Sequence, residues 1–404
     1  MEGREMDMLA SLYRDLEDLF PELVEIRRDL HMHPELSFQE VHTPEKVADY
    51  LQRLGLEVRT NVGERGVIGL LRGGKADDNS RTVALRADFD ALPIQDEKDV
   101  PYKSRVPGVM HACGHDMHTA ALLGAAKVLS QVKEQLQGNV VFIHQFGEEK
   151  PPGGAIAMIE DGCLDGVDVI YGAHVWPTEP FGNVAMTEGY AMAAGDSFEI
   201  QVVGRGGHGA QPHTTIDPLV VGCQLVLNLQ QIISRRINPL EPAVLSIGSI
   251  QSGLAANVIP DTCKLTGTVR AFSNDVREFI LEQIERIVKT TCDAAGATYK
   301  LSLLKGYDAV WNHPEQTQGV ERIAKQLFGE ERVRRVEPSL AGEDFSAYLK
   351  RIPGTFFLVG AGNPDIGAVY PLHHPMFDGD ERAMIVTGKM FVSLVWNELQ
   401  GATV

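Results

Sequence analysis

At 404 residues the chain is longer than one ordinary core, so two or three domains are expected. Apolar residues supply 44% and charged residues 23%, the balance of a globular enzyme, while 37 Lys+Arg against 55 Asp+Glu leave a formal charge of −18 that argues against nucleic acid as a partner. The five cysteines (113, 163, 223, 263 and 292) are odd in number and lack short paired spacing, which excludes a disulfide framework and points to a reducing compartment.

Asp7, Asp15, Glu17 and Asp18 interrupt the start of the chain, so no signal peptide is expected. Leu9, Leu12, Leu16, Leu19, Leu23, Ile26 and Leu30 recur at three- and four-residue steps, the apolar stripe of a helix. A second helix is predicted from Thr43-Pro44, with Thr43 as its cap, to Gly55. Short β-like runs follow at 57–60, 67–71 and 82–85, then a helix over 117–132, a strand over 139–146, a helix over 154–161 and a strand over 168–174. Strands alternating with helices of this length predict βαβ units in an α/β fold, with a mostly parallel sheet flanked by helices. The richest apolar stretch, 120–129, contains Lys127, and no run approaches the roughly 18 residues of a membrane span, so a cytoplasmic protein is expected.

The texture changes near Gly195. A strand over 197–203, a glycine-rich turn, a helix from Asp217-Pro218 to Arg236, strands over 243–250 and 262–271, a helix over 275–295 and a strand over 298–304 make a β-α-β-β-α-β unit able to close its own sheet. The α/β texture then resumes with a helix over 316–328, a strand over 355–359 and a closing helix over 381–399. The expected organisation is a catalytic domain in two parts, 1–194 and 309–404, interrupted by an α+β satellite at 195–308.

The densest chemical signal is Met110-His111-Ala112-Cys113-Gly114-His115-Asp116-Met117-His118, directly before a helix. Cys113 and His115 can turn towards one cation, with Gly114 letting the backbone fold between them. A lone histidine is more often an ordinary core or surface residue; the clustering is what favours a site. Glu148 and Glu149 follow the apolar strand 140–143, and ligands gather outside the carboxyl ends of parallel strands. Adjacent acids there point in different directions, so one can bind a metal while the other faces the water to be activated; spacing alone leaves open which does which. His174 ends the strand over 168–174, Asp88 and Asp90 follow Arg86 where another strand stops, and Leu372-His373-His374-Pro375 lies near the C-terminus. More than four candidate ligands of His, Cys and carboxylate type suggest two metals in one hydrolytic site. In the satellite, His208 sits in the glycine-rich turn, and Arg270 ends an apolar strand where its planar fork could clamp a carboxylate. Asn257 is individually weak. Asp217 reads as a helix cap, and Cys163, Cys223, Cys263 and Cys292 as small packing residues.

Together these motifs resemble the aminoacylase–hippurate hydrolase branch of the dinuclear metallopeptidases (clan MH), which also contains plant auxin-conjugate hydrolases and is related to glutamate carboxypeptidases. The resemblance runs from Arg27-Arg28-Asp29-Leu30-His31 to His373-His374-Pro375, nearly the whole chain. It implies a zinc-exopeptidase-like catalytic domain with a dimerisation or lid satellite. It also implies Cys113, His115, Glu149, His174 and His373 as metal ligands, and Glu148 as the catalytic acid/base. The family's histidine stands two positions before the proline, which favours His373 over His374. Asp88 and Asp116 then resemble residues that orient ligands. His208 resembles the histidine that reaches into a partner subunit's active site, and Asn257 with Arg270 resembles the pocket for the substrate carboxylate. A homodimer or homotetramer through the satellite is thereby implied. The broader superfamily has an aspartate where this branch has Cys113, a softer and oxidisable ligand that suits zinc, manganese, cobalt or nickel.

The expected activity is hydrolysis of a small-molecule N-acyl-L-amino acid to a carboxylic acid and a free amino acid, with two divalent ions as cofactors. A metallo-exopeptidase or dipeptidase is the alternative enzyme, but a free α-amino group needs an acidic anchor and the sequence offers no obvious one. A non-catalytic metal-dependent binding protein has no use for Glu148 beside Glu149.

Overall fold

Pro21 sets the first boundary in the chain. The computed structural model, which describes residues 2–400, begins with helix α1 (Glu2–Asp18), and α2 (Phe20–Met32) starts afresh after Leu19. Proline in the first turn of α2 has no N–H for the preceding turn, so the apolar stripe from Leu9 to Leu30 is carried by two helices, not one. In α3 (His42–Arg53) Pro44 occupies the first turn, but Thr43 is not the cap. The Glu35 carboxylate accepts from the backbone N–H groups of Val41, His42 and Thr43 at 3.0, 3.1 and 2.8 Å, and so caps the helix from outside it.

The α/β layers follow as β1 (Glu57–Val62), β2 (Gly66–Leu71), β3 (Thr82–Asp88), α4 (His115–Gln131), β4 (Asn139–Gln145), α5 (Ala155–Glu160), β5 (Val169–Pro180), β6 (Val184–Met186) and β7 (Gly189–Met192). All of β3 is buried, and all of β4 except Asn139, the mark of strands covered on both faces. α4 is buried around nearly its whole circumference, as a helix lying beneath others must be.

The next stretch holds β8 (Ala194–Val203), β9 (Gly207–His208), α6 (Pro218–Arg236), β10 (Ala243–Ser252), β11 (Val258–Ile259), β12 (Thr262–Ala271), α7 (Asn274–Ala295) and β13 (Thr298–Lys305). The four long strands form an antiparallel sheet in the order β10-β12-β8-β13. Alternate residues of β8 and β12 are buried beneath α6 and α7. Asp217 caps α6 through bonds from Leu219 N and Val220 N. Cys163, Cys263 and Cys292 are buried, but Cys223 is exposed, because it lies one turn beyond Leu219 on the uncovered face of α6.

The remaining elements are β14 (Val310–Asn312), α8 (Pro314–Phe328), β15 (Val333–Arg335), α9 (Ser346–Leu349), β16 (Gly354–Gly362) and α10 (Ala383–Gln400). β15 and β16 complete an eight-stranded sheet in the order β1-β2-β4-β3-β5-β16-β6-β15. Its centre, β4-β3-β5-β16, is parallel, while β2 against β4 and β6 against β16 run antiparallel. The chain divides into two units: Met1–Ala191 with Trp311–Glu337 and Asp344–Val404, and Met192–Val310 with Pro338–Glu343. Positions 1 and 401–404 of the expected domain ranges lie outside the described residues.

One buried cation ties the first unit together. Arg27 of α2 is fully buried; its Nε lies 2.8 Å from Asp116 Oδ2, Nη2 2.7 Å from Asp378 and Nη1 3.2 Å from Glu381. Burial would raise the Asp116 carboxyl, but Arg27 and His31 hold it well below its ordinary range. Arg27→Ala leaves these acids without their guanidinium and is expected to cost about 3–5 kcal/mol. The measurement is the urea unfolding midpoint, and an unchanged midpoint would show that the ion cluster contributes nothing net.

Candidate metal centre

Four pieces of chain converge beyond the carboxyl ends of the central strands. Asp88 ends β3, Glu148 and Glu149 follow β4, His174 lies within β5, and the Cys113 loop leads into α4. Gly114 caps α4 with φ 90°, a left-handed conformation, and an added Cβ would stand 2.3 Å from Val175 Cγ2. Only glycine allows this close approach, which places Cys113 and His115 on either side of the turn. His373 joins from the C-terminal segment. Its backbone N–H donates to Ala112 O at 2.7 Å and its φ is 62°, a conformation that L side chains rarely adopt. His374 points elsewhere: its ring stacks on Tyr370 and its Nδ1 accepts from Met376 N.

The donor atoms face one another. Cys113 Sγ lies 3.3 Å from His174 Nε2, and His373 Nε2 lies 3.3 Å from Glu149 Oε1. His115 Nε2 is 3.8 Å from Glu149 Oε1 and 4.0 Å from Glu148 Oε2. The second ring nitrogen is engaged in both buried donor histidines, His174 and His115. His174 Nδ1 donates to Val175 O at 2.7 Å, and His115 Nδ1 meets Asp90 Oδ1 at 3.1 Å. Both Nε2 atoms are thereby directed into the cluster. His118 plays a different part: it accepts from Val175 N, so its Nδ1 donates to Asp88 at 2.6 Å.

Two buried atoms at the centre, His115 Nε2 and Glu149 Oε1, have no hydrogen-bond partner. An unsatisfied buried polar atom costs about 1–3 kcal/mol, and a cation between these donors removes that cost. The donors fall into the triads Cys113/His115/His174 and Cys113/Glu149/His373, with the ligating atoms of each within 4.8 Å of one another. The thiol is common to both. The residues fit two divalent cations, and mixed sulfur, nitrogen and carboxylate donors suit first-row transition metals.

Beneath the donors lie groups that the sequence reading left unassigned. Arg86, buried in β3, reaches Asp88 at 2.6 Å, Gln145 at 2.9 Å and Asp344 at 3.0 Å. Gln145 in turn donates to Asp344 and accepts from Tyr348. Against burial, His115, Arg86 and His118 hold the Asp88 carboxyl well below its ordinary range. A charged residue in an otherwise apolar strand was the one sequence signal for Arg86; nothing local marks Asp344. Asp116 stands next to the donor histidine in sequence, yet its Oδ2 pairs with Arg27 and His31, and Asp90 is the acid that engages the His115 ring.

In the second unit His208 and Asn257 come together. His208 pairs with Val258 across the β9–β11 ribbon, and Gly209 N donates to Asn257 O at 2.8 Å. His208 is exposed and its Nδ1 accepts from Ala210 N, which puts its proton on Nε2. The half-buried Arg270 lies over Gly195, where an added Cβ would be 2.9 Å from its Nη1.

Residues 84–397 match the family described as Peptidase family M20/M25/M40. YhaA of Bacillus subtilis is 51% identical over 377 residues, covering 93% of this chain and 94% of the relative. The N-acyl-L-amino acid amidohydrolase of Geobacillus stearothermophilus is 44% identical over 302 residues, covering 75% and 81%. Among solved structures, the Bacillus subtilis YXEP protein, described as a dinuclear metal binding peptidase, superposes with a TM-score of 0.80 at 35% identity, over 96% of this chain and all of that one.

Burial and the nearby acids Glu149 and Glu148 push the Cys113 thiol well above its ordinary range, while Asp88 and Asp90, against burial, pull His115 up to about 10. Both groups therefore carry protons at pH 7 until a cation replaces them. Loading chelator-treated protein with zinc is expected to release about two protons per chain, and about one from Cys113→Ala. Calorimetry in buffers of different ionisation enthalpy measures this; no release would remove the thiol from the donor set.

Proposed function

The chain belongs to peptidase family M20/M25/M40, and from that premise we propose that it hydrolyses the amide bond of N-acyl-L-amino acids, releasing a carboxylic acid and a free amino acid. The observation that carries the proposal is the pair Glu148–Glu149 beside a donor cluster with unsatisfied buried atoms. We assign Cys113, His115, Glu149, His174 and His373 as the ligands of two divalent ions, zinc, manganese, cobalt or nickel, with Asp88 and Asp116 as the acids that fix the surrounding rings and charges. The ions, when bound, polarise the scissile carbonyl and acidify the attacking water towards neutral pH. Glu148 takes the proton from that water and passes it to the departing amine. His208 is the proposed oxyanion donor, a role its Nε2–H tautomer suits, and Asn257 with Arg270 is the proposed seat of the free α-carboxylate. A carboxylate seat favours acylated amino acids over simple amides.

We further infer a homodimer or homotetramer built through the second unit. β10 is an edge strand there, and Leu219, Val220, Cys223 and Leu227 leave an apolar face exposed on α6. No described helix is long and apolar enough to cross a membrane, and a reduced Cys113 agrees with a cytoplasmic location.

Glu148→Gln is expected to keep the metal content and lose about 100–10,000-fold in kcat on N-acetyl amino acids. Full activity in that variant would sink the assignment of the base. Leu227→Glu is expected to reduce the assembly to monomers by light scattering; an unchanged mass would take this face out of the interface.

A further inference from the structure

The segment Glu35–Glu40 crosses the edge of the site as a strap between α2 and α3. Its start is anchored by Ala91 N donating to Glu35 O at 2.8 Å and by the bridge between Leu36 and Ala91. Ser37 Oγ donates to Asp90 Oδ2 at 2.7 Å, and the same oxygen accepts the backbone N–H of Glu149 at 2.9 Å. Phe38, itself held at φ 65°, meets Phe146 edge to face at 5.6 Å. Its ring closes the space beside Gly147, where an added Cβ would be 3.1 Å away. Gly147 has φ 66°, so the turn between β4 and the two glutamates is left-handed and roofed by this aromatic ring. Finally, the Glu40 carboxyl accepts the Gly147 N–H at 2.9 Å, while Arg65 holds the Glu40 carbonyl at 2.7 Å.

The residue between those two anchored amides is Glu148. We propose that Ser37 and Glu40 are positioning residues for Glu148, the one through Asp90 and the other directly, by tying the amides that precede and follow it to one strap. The inference rests on the reading of Glu148 as the base.

A base acts only from a defined place, and misplacement by about 1 Å can cost about 100-fold in rate. A free loop of Gly-Glu-Glu would not give that definition. The strap supplies it through two buried acids, its own Glu40 and the Asp90 that Ser37 holds, each about 1% exposed. Burial, with Asp90 nearby, pushes the Glu40 carboxyl up to about 8, so it is neutral at pH 7 and glutamine reproduces its acceptor. The role is geometric, and neither charge nor contact with substrate is required of it.

The test compares Glu40→Gln, Glu40→Ala, Ser37→Ala and Glu148→Gln in the metal-loaded full chain, reading kcat, KM, metal-to-protein ratio and thermal midpoint on an N-acetyl amino acid. Glu40→Gln is expected within about 2-fold of wild type, Glu40→Ala about 10–100-fold lower in kcat, and Ser37→Ala about 3–10-fold lower, each at unchanged KM and metal ratio. Equal loss in Glu40→Gln and Glu40→Ala overturns the proposal, as does wild-type kcat in Glu40→Ala or a loss that follows metal content. Should Glu40→Ala not fold, Ser37→Ala decides: lowered kcat supports the strap and wild-type kcat overturns it. An active Glu148→Gln instead retires the base itself. An inactive one beside fully active Glu40→Ala and Ser37→Ala retires only the strap.

Discussion

Buried negative charge is the constraint on which the first unit depends. Asp88, Asp90, Asp116 and Glu148 are all nearly inaccessible to water, and Glu149 joins them at the mouth. Acids cannot be gathered in a protein interior without compensating cations, because removing each from water costs several kcal/mol. Two guanidinium groups answer part of this. Arg27 holds Asp116 with Asp378 and Glu381, and Arg86 holds Asp88 with Asp344. Neither arginine approaches Glu149 Oε1, and that atom lies among the sulfur and imidazole donors. The protein's own cations neutralise the underside of the site, while its upper face is left for divalent ions.

The parallel sheet explains why this charge can be concentrated at all. Four central strands end side by side, and β3 and β4 run in register, with Asp88 opposite Gln145. Their apolar lengths are covered on both sides, so polar groups collect where the strands stop. β5 differs by running on past His174 to Pro180, which turns a residue expected at a strand end into one within a strand. The Val175 N–H after it then reaches His118, so the backbone of β5 itself sets a tautomer near the donors.

Much of this was legible in the sequence because it is local. The β3 and β4 runs are nearly continuous apolar segments, Pro218 and Asp217 mark the start of α6, and the alternation of β8 and β12 shows a one-sided sheet. The donor residues of the Cys113 loop stand within a few positions of each other, and Glu149 follows closely after β4, whereas His174 lies within β5 and His373 in a C-terminal turn. What was not legible acts across distance. Glu35 displaces Thr43 as the cap of α3 by folding back from outside the helix, which no propensity encodes. Asp344 meets Arg86 across 258 positions. The three-residue strands β6 and β15 are too short to carry a period. Asp90 was visible as a residue, yet its service to both His115 and Glu149 requires three segments to be in place at once.

The strap has a consequence for how the protein fails. It is continuous with the first turn of α3, whose start is capped by Glu35 from the strap itself. The same short segment therefore joins the start of α3 to the turn that carries the two glutamates, through the bond from Gly147 N–H to the Glu40 carboxyl. On the proposed role of the strap, catalytic competence requires α3 to stay seated, and a partial opening there needs less free energy than unfolding of the whole molecule.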